Sequence, residues 1–174
     1  MARKRGPTQP APPLAAEASD ERPATIRIIL ADDYPAYADS LRTLLARDPN
    51  IRIVGTAADG NAAVEAAWRL KPDVVVMDVR MPGLNGIEAT RQIVRDVPGA
   101  RVLALSMYPD KTMITQMLRA GASGYILKDC AGEELIAGIR AAAAGSIYLC
   151  AEAATTTVAR ALNQDFRGSK SGPS

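Results

Sequence analysis

Five polar side chains each stand at the end of a short apolar run in this sequence. Asp32 and Asp33 follow the first run, and three later runs end at Asp78, Ser106 and Lys128. An aspartate in such a place is often only a turn former or a helix cap, so each residue alone carries little weight. The recurrence of acids, a hydroxyl and a lysine at the same kind of position points instead to a shared site.

Three acids and a lysine are residue types that bind a metal ion and a phosphoryl group. Carboxylates in one pocket repel each other, and Mg²⁺ accepts oxygen ligands alone, commonly one or two carboxylates with phosphate and water. Lys128 would add a point charge for a phosphoryl oxygen, and Ser106 a hydrogen bond. Asp78 ends the most apolar run, residues 74–77. We therefore predict that Asp78 is the carboxylate nucleophile in a Mg²⁺-dependent phosphoryl transfer.

Short apolar runs alternate with helical spacing along the chain. The runs, which we predict to be strands, span residues 26–31, 51–57, 73–78, 101–106 and 124–128. Several are apolar throughout, which is typical of strands buried on both faces of a parallel sheet. Apolar stripes at helical spacing follow each run. The alternation predicts an α/β fold of the (βα)₅ type, a doubly wound parallel five-stranded sheet with its ligand site at the carboxyl ends of the strands.

The apolar stripes also identify candidate core residues. The second stripe consists of Ala63, Val64, Ala67 and Trp68. Because Trp68 belongs to this stripe, we predict that it packs in the core rather than against a cofactor.

Composition separates two terminal segments from the central part of the chain. Residues 1–25 are rich in Pro, Ala and charge and offer too little apolar surface for folding, so we predict a disordered tail. Residues 26–150 hold all the predicted strands and form one domain. Residues 151–174 are predicted to contain a short linker helix around Val158, Ala159 and Leu162, followed by a polar disordered tail.

The overall composition excludes several classes of function. The net charge of the 174 residues is +2, well short of the basic bias of a nucleic-acid-binding domain, so we expect no direct DNA binding by this chain. No apolar run reaches the length of a membrane span. The absence of histidine excludes histidine-based triads and His-ligated zinc. Cys130 and Cys150 lack metal-site spacing and indicate a reducing cytoplasm.

A set of short motifs with specific spacing covers residues 25–150. The motifs are LADD at 30–33, VMDVRMPG at 76–83 with NG at 85–86, ALSM at 104–107, AGASGY at 120–125 and LKD at 127–129. Together they resemble the receiver domains of bacterial response regulators, which are CheY-like. Gly-Tyr at 124–125 and Lys-Asp at 128–129 look most like the NarL/FixJ subgroup. The resemblance implies a flavodoxin-like sheet with strand order 2-1-3-4-5.

The resemblance implies a role for each residue at the acidic end of the site. The residue at Asp78 takes a phosphoryl group from the phosphohistidine of a partner kinase or phosphotransfer protein. The residue at Asp33 binds Mg²⁺ directly, and the one at Asp32 does so mainly through water. The backbone carbonyl of Arg80, together with Asp78, completes the protein ligands of the metal.

The resemblance also implies how the signal leaves the site. The residue at Lys128 contacts the phosphoryl oxygens, and those at Ser106 and Tyr125 move together as a switch. The expected output is a protein-interaction surface, with a homodimer as one form. Such a chain is a phosphorelay signalling protein and not an enzyme, since it catalyses only its own phosphorylation and dephosphorylation.

Alternatives to a stand-alone receiver stay open. Members of the NarL/FixJ subgroup usually carry a C-terminal helix-turn-helix domain, so the chain is alternatively the N-terminal receiver part of a truncated transcriptional regulator. An aspartate-nucleophile phosphatase of the haloacid dehalogenase type is less favoured, because it needs an acid where Arg80 stands. A nucleotide-binding domain is disfavoured by the lack of a glycine-rich phosphate loop.

Overall fold

A computed structural model describes residues 24–130 and 132–157. Its strands are β1 Ile26–Ala31, β2 Ile51–Ala57, β3 Val74–Asp78, β4 Arg101–Ser106, β5 Gly124–Leu127 and β6 Tyr148–Leu149. Its helices are α1 Pro35–Leu45, α2 Gly60–Leu70, α3 Gly86–Asp96, α4 Lys111–Arg119 and α5 Gly132–Ala143. Residues 151–157 are also helical, whereas Val158, Ala159 and Leu162, on which the predicted linker helix rests, lie outside the described residues, as does most of the predicted N-terminal tail.

The described strands form one parallel sheet with the order β2-β1-β3-β4-β5-β6. This confirms the alternating fold and the order 2-1-3-4-5, but the prediction of five strands is wrong. The sixth strand has only two residues, which is too short for any periodicity to reveal it. It forms because Gly124 brings the backbone of β5 close to Tyr148, whose carbonyl oxygen would lie 2.3 Å from a Cβ at that glycine.

The core lies on both faces of the sheet because consecutive strand residues point to opposite faces. In β3, Val75 and Met77 pack on one side with residues of α2 and α3, and Val74 and Val76 pack on the other with residues of α1 and α5. This two-sided burial explains why the run is apolar throughout. None of the helices among the described residues combines the length and apolarity that a membrane span requires.

Trp68 does not lie in the core, so that prediction is wrong. Ala63 and Ala67 are fully buried, but Trp68 is 63% exposed and its ring lies 4.7 Å from the Lys71 ammonium. A residue one position beyond Ala67 is rotated by about 100° around the helix, to the border of the buried face. Trp68 there lines an open groove of about 620 Å³ together with residues of α3.

The start of α3 holds the end of β3 in place. The Asn85 side chain caps the helix by accepting a hydrogen bond from the Glu88 N–H at 3.0 Å, and the buried Thr90 hydroxyl donates to the Gly86 carbonyl at 2.6 Å. Gly86 packs so tightly on the preceding strand that a Cβ there would lie 2.2 Å from the Asp78 carbonyl oxygen. The site residue Asp78 is therefore fixed by a backbone contact that only glycine permits.

Gly86→Ala is expected to lower the free energy of unfolding by about 2 kcal/mol, because the new methyl group overlaps backbone atoms that cannot rotate away. Gly132→Ala is the matched control, since Gly132 also begins a helix but faces the flexible end of the Leu44 side chain. We expect that control to change stability by less than about 1 kcal/mol. Chemical denaturation measures both, and equal stability of the two variants would contradict the assigned contact.

Candidate phosphoryl and metal site

Three carboxylates meet at one edge of the sheet. Asp32 and Asp33 follow β1, and Asp78 ends the neighbouring strand β3. One carboxylate oxygen from each lies within 4.8 Å of those of the other two. Asp32 and Asp78 are buried, whereas Asp33 is exposed. Because the chain order switches sides between β1 and β3, this is also where a doubly wound sheet opens a crevice for ligands.

Lys128 supplies the counter-charge to the two buried acids. Its Nζ lies 2.6 Å from Asp32 Oδ2 and 3.3 Å from Asp78 Oδ2, and its side chain is only 8% exposed. The backbone holds it there, since the Lys128 N–H donates to the Ser106 carbonyl at 2.8 Å. Ion pairs with so little water around them are weakly screened, so removing one member leaves an uncompensated charge.

Each buried acid is also fixed through its second oxygen. The Tyr34 N–H donates to Asp32 Oδ1 at 2.8 Å, and the Arg80 N–H donates to Asp78 Oδ1 at 3.2 Å. In the described part of the chain no hydrogen bond or ion pair engages the Asp33 carboxylate, so its oxygens are open to a ligand. Two acids are thus pre-oriented and the third is available.

Burial raises the pKa of Asp78 above its usual value. The nearby Asp32 charge acts in the same direction, while Lys128 and the Arg80 N–H partly offset both. The charged form of Asp78 is therefore less stable in the folded protein than in water, and a further cation at the site would stabilise it.

The donor set fits a hard divalent cation. Carboxylate oxygens are what Mg²⁺ prefers, and it keeps several waters, which needs open space beside the acids. A cleft of about 420 Å³ provides that space, and Asp33 and Arg80 both lie in its wall. Asp32, Asp33, Asp78 and the peptide of Arg80 are the groups that would hold such an ion.

Ser106 and Tyr125 meet at the backbone of Tyr108. Ser106 is buried at the end of β4, one residue beyond the partner of Asp78 in the β3–β4 pairing. Its Oγ donates to the Tyr108 carbonyl at 3.3 Å and accepts from the Tyr108 N–H at 3.4 Å. The Tyr125 hydroxyl donates to the same carbonyl at 3.2 Å, and its ring is fully buried. The two side chains are therefore linked through one peptide segment.

Comparison with known proteins identifies the family of this chain. The sequence model of the response regulator receiver domain matches residues 28–140. The chain belongs to this family. The receiver domain is 37% identical over 124 residues to the transcriptional regulatory protein DegU of Brevibacillus brevis, covering 71% of this chain and 52% of DegU. It is 35% identical over 144 residues to the nitrate/nitrite response regulator protein NarL of Escherichia coli K12, covering 83% of this chain and 65% of NarL.

One solved structure matches this chain over nearly the whole length of the solved protein. A two-component response regulator of the LuxR family from Aurantimonas sp. SI85-9A1 matches with a TM-score of 0.77 and 35% identity, covering 80% of this chain and 99% of that one. By contrast, the chain spans between about half and two thirds of the length of the curated relatives DegU and NarL. The chain is thus a receiver domain of the two-component signalling type, with relatives that regulate transcription.

The receiver domain brings most of the predicted site residues together. Asp32, Asp33, Asp78 and Lys128 form one cluster, and the Arg80 peptide borders it. Tyr37 also borders this cluster, with its ring 4.6 Å from Lys128 Nζ, and it was not among the residues predicted from the sequence. Its position in the first turn of α1, five residues after Asp32, was the available signal, but it does not distinguish an aromatic site residue from a core residue.

Proposed function

We propose that this chain is a phosphoacceptor receiver that takes a phosphoryl group onto Asp78 and thereby changes a protein-interaction surface. The observation that carries the proposal is the position of the Asp78 carboxylate. It lies at the end of the central strand, beside two further acids and the buried side chain of Lys128. None of the 174 residues is a histidine, so the phosphohistidine donor belongs to a partner kinase or phosphotransfer protein.

The chemistry follows from the positions of the side chains. A carboxylate oxygen of Asp78 attacks phosphorus, and the bond from phosphorus to the donor nitrogen, or to the oxygen of a small acyl phosphate, breaks. Lys128 Nζ, already 3.3 Å from Asp78 Oδ2, is placed to contact the oxygens of the incoming group. Mg²⁺ bound to the acids would supply further charge neutralisation. Asp32 holds the Lys128 ammonium in place, and the Arg80 N–H holds the Asp78 carboxylate.

Intact-mass measurement tests the proposal directly. The purified chain incubated with acetyl phosphate and Mg²⁺ is expected to gain the mass of one phosphoryl group, and addition of EDTA before the donor is expected to prevent the gain. No added mass under conditions in which Mg²⁺ binds would reject the proposal.

A phosphatase acting on other substrates is the second candidate, and the site disfavours it. The position two residues after Asp78, where such an enzyme carries its acid, is Arg80, whose N–H is committed to Asp78. Multiple turnover of phosphate monoesters in the same assay would favour the phosphatase. Similarity to DegU and NarL favours another alternative, in which this receiver forms the N-terminal part of a NarL-type transcriptional regulator.

The segment between β4 and α4 is the proposed moving part. A phosphoryl group adds charge and strong acceptor oxygens close to Ser106. If Ser106 donates to one of them, its bond to the Tyr108 carbonyl is lost, and the Tyr125 hydroxyl remains as the side-chain donor to that carbonyl. Met107 and Tyr108 are both 61% exposed, so a shift there changes a surface that a second copy or a partner protein can read.

Beryllofluoride, which mimics the phosphoryl group, is expected to shift the NMR resonances of residues 106–110 and Tyr125. Ser106→Ala should lose those shifts while still binding the analogue, because it cannot make the new hydrogen bond. Ser123→Ala is the control. Ser123 is also a buried serine, but it directly precedes β5, at the end of the strand away from the acids. Unchanged resonances in the wild type, or full shifts in Ser106→Ala, would contradict the proposed switch.

A further inference from the structure

The Tyr37 ring covers the ammonium of Lys128. Tyr37 lies in the first turn of α1, 91 residues before Lys128 in the sequence, and its ring centroid is 4.6 Å from Lys128 Nζ. Its hydroxyl makes a second contact, a long hydrogen bond of 3.4 Å to the Lys128 carbonyl. The same aromatic residue therefore touches both the charged head of Lys128 and its backbone.

An aromatic face suits a lysine that must keep its hydrogen-bond donors free. The Lys128 side chain is 8% exposed, so its ammonium has lost most of its water. The negative face of the ring attracts the cation without bringing a further oxygen or nitrogen acceptor to it. The N–H groups thus remain directed to Asp32 and Asp78, with capacity for a further oxygen. An aliphatic side chain would exclude water equally well but would not stabilise the charge.

The Tyr37 hydroxyl adds a weak second contact to the backbone of Lys128. The Lys128 N–H is held by the Ser106 carbonyl, and its own carbonyl accepts from Tyr37, so both sides of the residue are anchored. Burial, with the charges of Asp32 and Asp78, raises the pKa of Tyr37 to about 12. The hydroxyl accordingly stays protonated and remains a donor.

We propose that Tyr37 is a positioning residue for phosphoryl transfer, whose ring face holds the Lys128 ammonium against Asp32 and Asp78. The inference rests on the proposed function of Asp78, and it adds a residue from α1 to a site otherwise built from strand ends. Tyr37 acts through Lys128 and does not touch the phosphoryl group itself.

Two substitutions separate the ring from the hydroxyl. Tyr37→Leu removes the aromatic face, and Tyr37→Phe keeps it. With acetyl phosphate and saturating Mg²⁺, we expect Tyr37→Leu to be phosphorylated about tenfold more slowly, and Tyr37→Phe to stay within about threefold of the wild type. The loss should appear in the maximal rate rather than in the donor concentration giving half that rate. Tyr37→Phe phosphorylated as slowly as Tyr37→Leu, or both at the wild-type rate, would overturn the proposal.

The chain offers its own control for a lost cation–π contact. Trp68, which is 63% exposed, lies over Lys71 at 4.7 Å, so Trp68→Leu removes a contact of the same kind away from the acids. We expect its phosphorylation rate to match the wild type. A slowing equal to that of Tyr37→Leu would assign the effect to general stability and reject the proposal.

NMR of the lysine side chains tests the placement without any phosphoryl donor. The ring current of Tyr37 should move the Lys128 ε-methylene protons upfield of those of the exposed Lys111, and Tyr37→Leu, if folded, should abolish the displacement. A Lys128 resonance at the ordinary position in the wild type would overturn the inference. If instead that resonance is displaced but no variant or wild type accepts a phosphoryl group, the proposed function fails and the contact stands.

Discussion

Asp78→Asn is expected to accept no phosphoryl group from acetyl phosphate, whereas the wild type gains one. The amide is nearly the same shape and can still accept the Arg80 N–H, but it has no carboxylate oxygen to attack phosphorus. Intact-mass measurement with Mg²⁺ present gives an all-or-none result. Labelling of Asp78→Asn to the wild-type level would remove Asp78 from the mechanism.

Asp48→Asn is the matched control for this substitution. Asp48 is also a buried aspartate, but it pairs with Arg140 at 2.5 Å rather than with the site lysine. We expect the control to be phosphorylated like the wild type. The free energy of unfolding of Asp48→Asn should fall by about 1–2 kcal/mol, because the carboxylate charge that pairs with the Arg140 guanidinium is lost.

Asp78→Asn, unlike Asp48→Asn, should be more stable than the wild type. Burial raises the pKa of this carboxyl, so the folded state binds its proton more tightly than the unfolded chain does. Above that pKa the ionised group therefore lowers stability, and a neutral amide removes the penalty. Thermal unfolding without Mg²⁺ near pH 7 should give a higher Tm for Asp78→Asn than for the wild type, and a lower one would mean that Lys128 outweighs the cost of burial.

Loss of Mg²⁺ affinity is the second large expected effect, and Asp33→Ala should produce it. Asp33 is exposed and has no hydrogen bond or ion pair in the described part of the chain, so its removal costs little stability. It is nevertheless one of the three acids whose oxygens converge within 4.8 Å. Calorimetric titration should show affinity reduced at least about tenfold, in line with the loss of a metal ligand.

Thermal unfolding gives an independent measure of the same binding. A ligand that binds only the folded state raises its stability with concentration, so Mg²⁺ should raise the Tm of the wild type and EDTA should reverse the rise. Asp33→Ala should show almost no rise. Asp39→Ala is the control, an exposed acid of α1 whose ion pair with Arg42 lies outside the cluster. A Mg²⁺ response in Asp33→Ala equal to that of Asp39→Ala would remove Asp33 from the metal site.

The fold class, and the end of the strands at which the site lies, follow from the order of the residues alone. Apolar runs alternating with helical stripes leave a parallel sheet as the solution, because each crossover must cover one face of it. Strands of such a sheet end at a common edge, so polar residues that close separate runs had to come together. That rule places Asp32, Asp33, Asp78 and Lys128 near one another without knowledge of any side-chain conformation.

Tertiary structure alone decided which partner each side chain takes. Helical periodicity tells which residues share a face but not how far a neighbouring element covers it, so Trp68 remained exposed beside a buried Ala67. The two-residue strand β6 has no pattern of its own, and it pairs with β5 where Gly124 lets the two backbones come close. Contacts between residues distant in sequence, such as Tyr37 with Lys128, depend on rotamers and on the packing of α1 against the sheet. A sequence pattern encodes the period of an element, whereas those distances of a few ångströms arise only when the elements have packed.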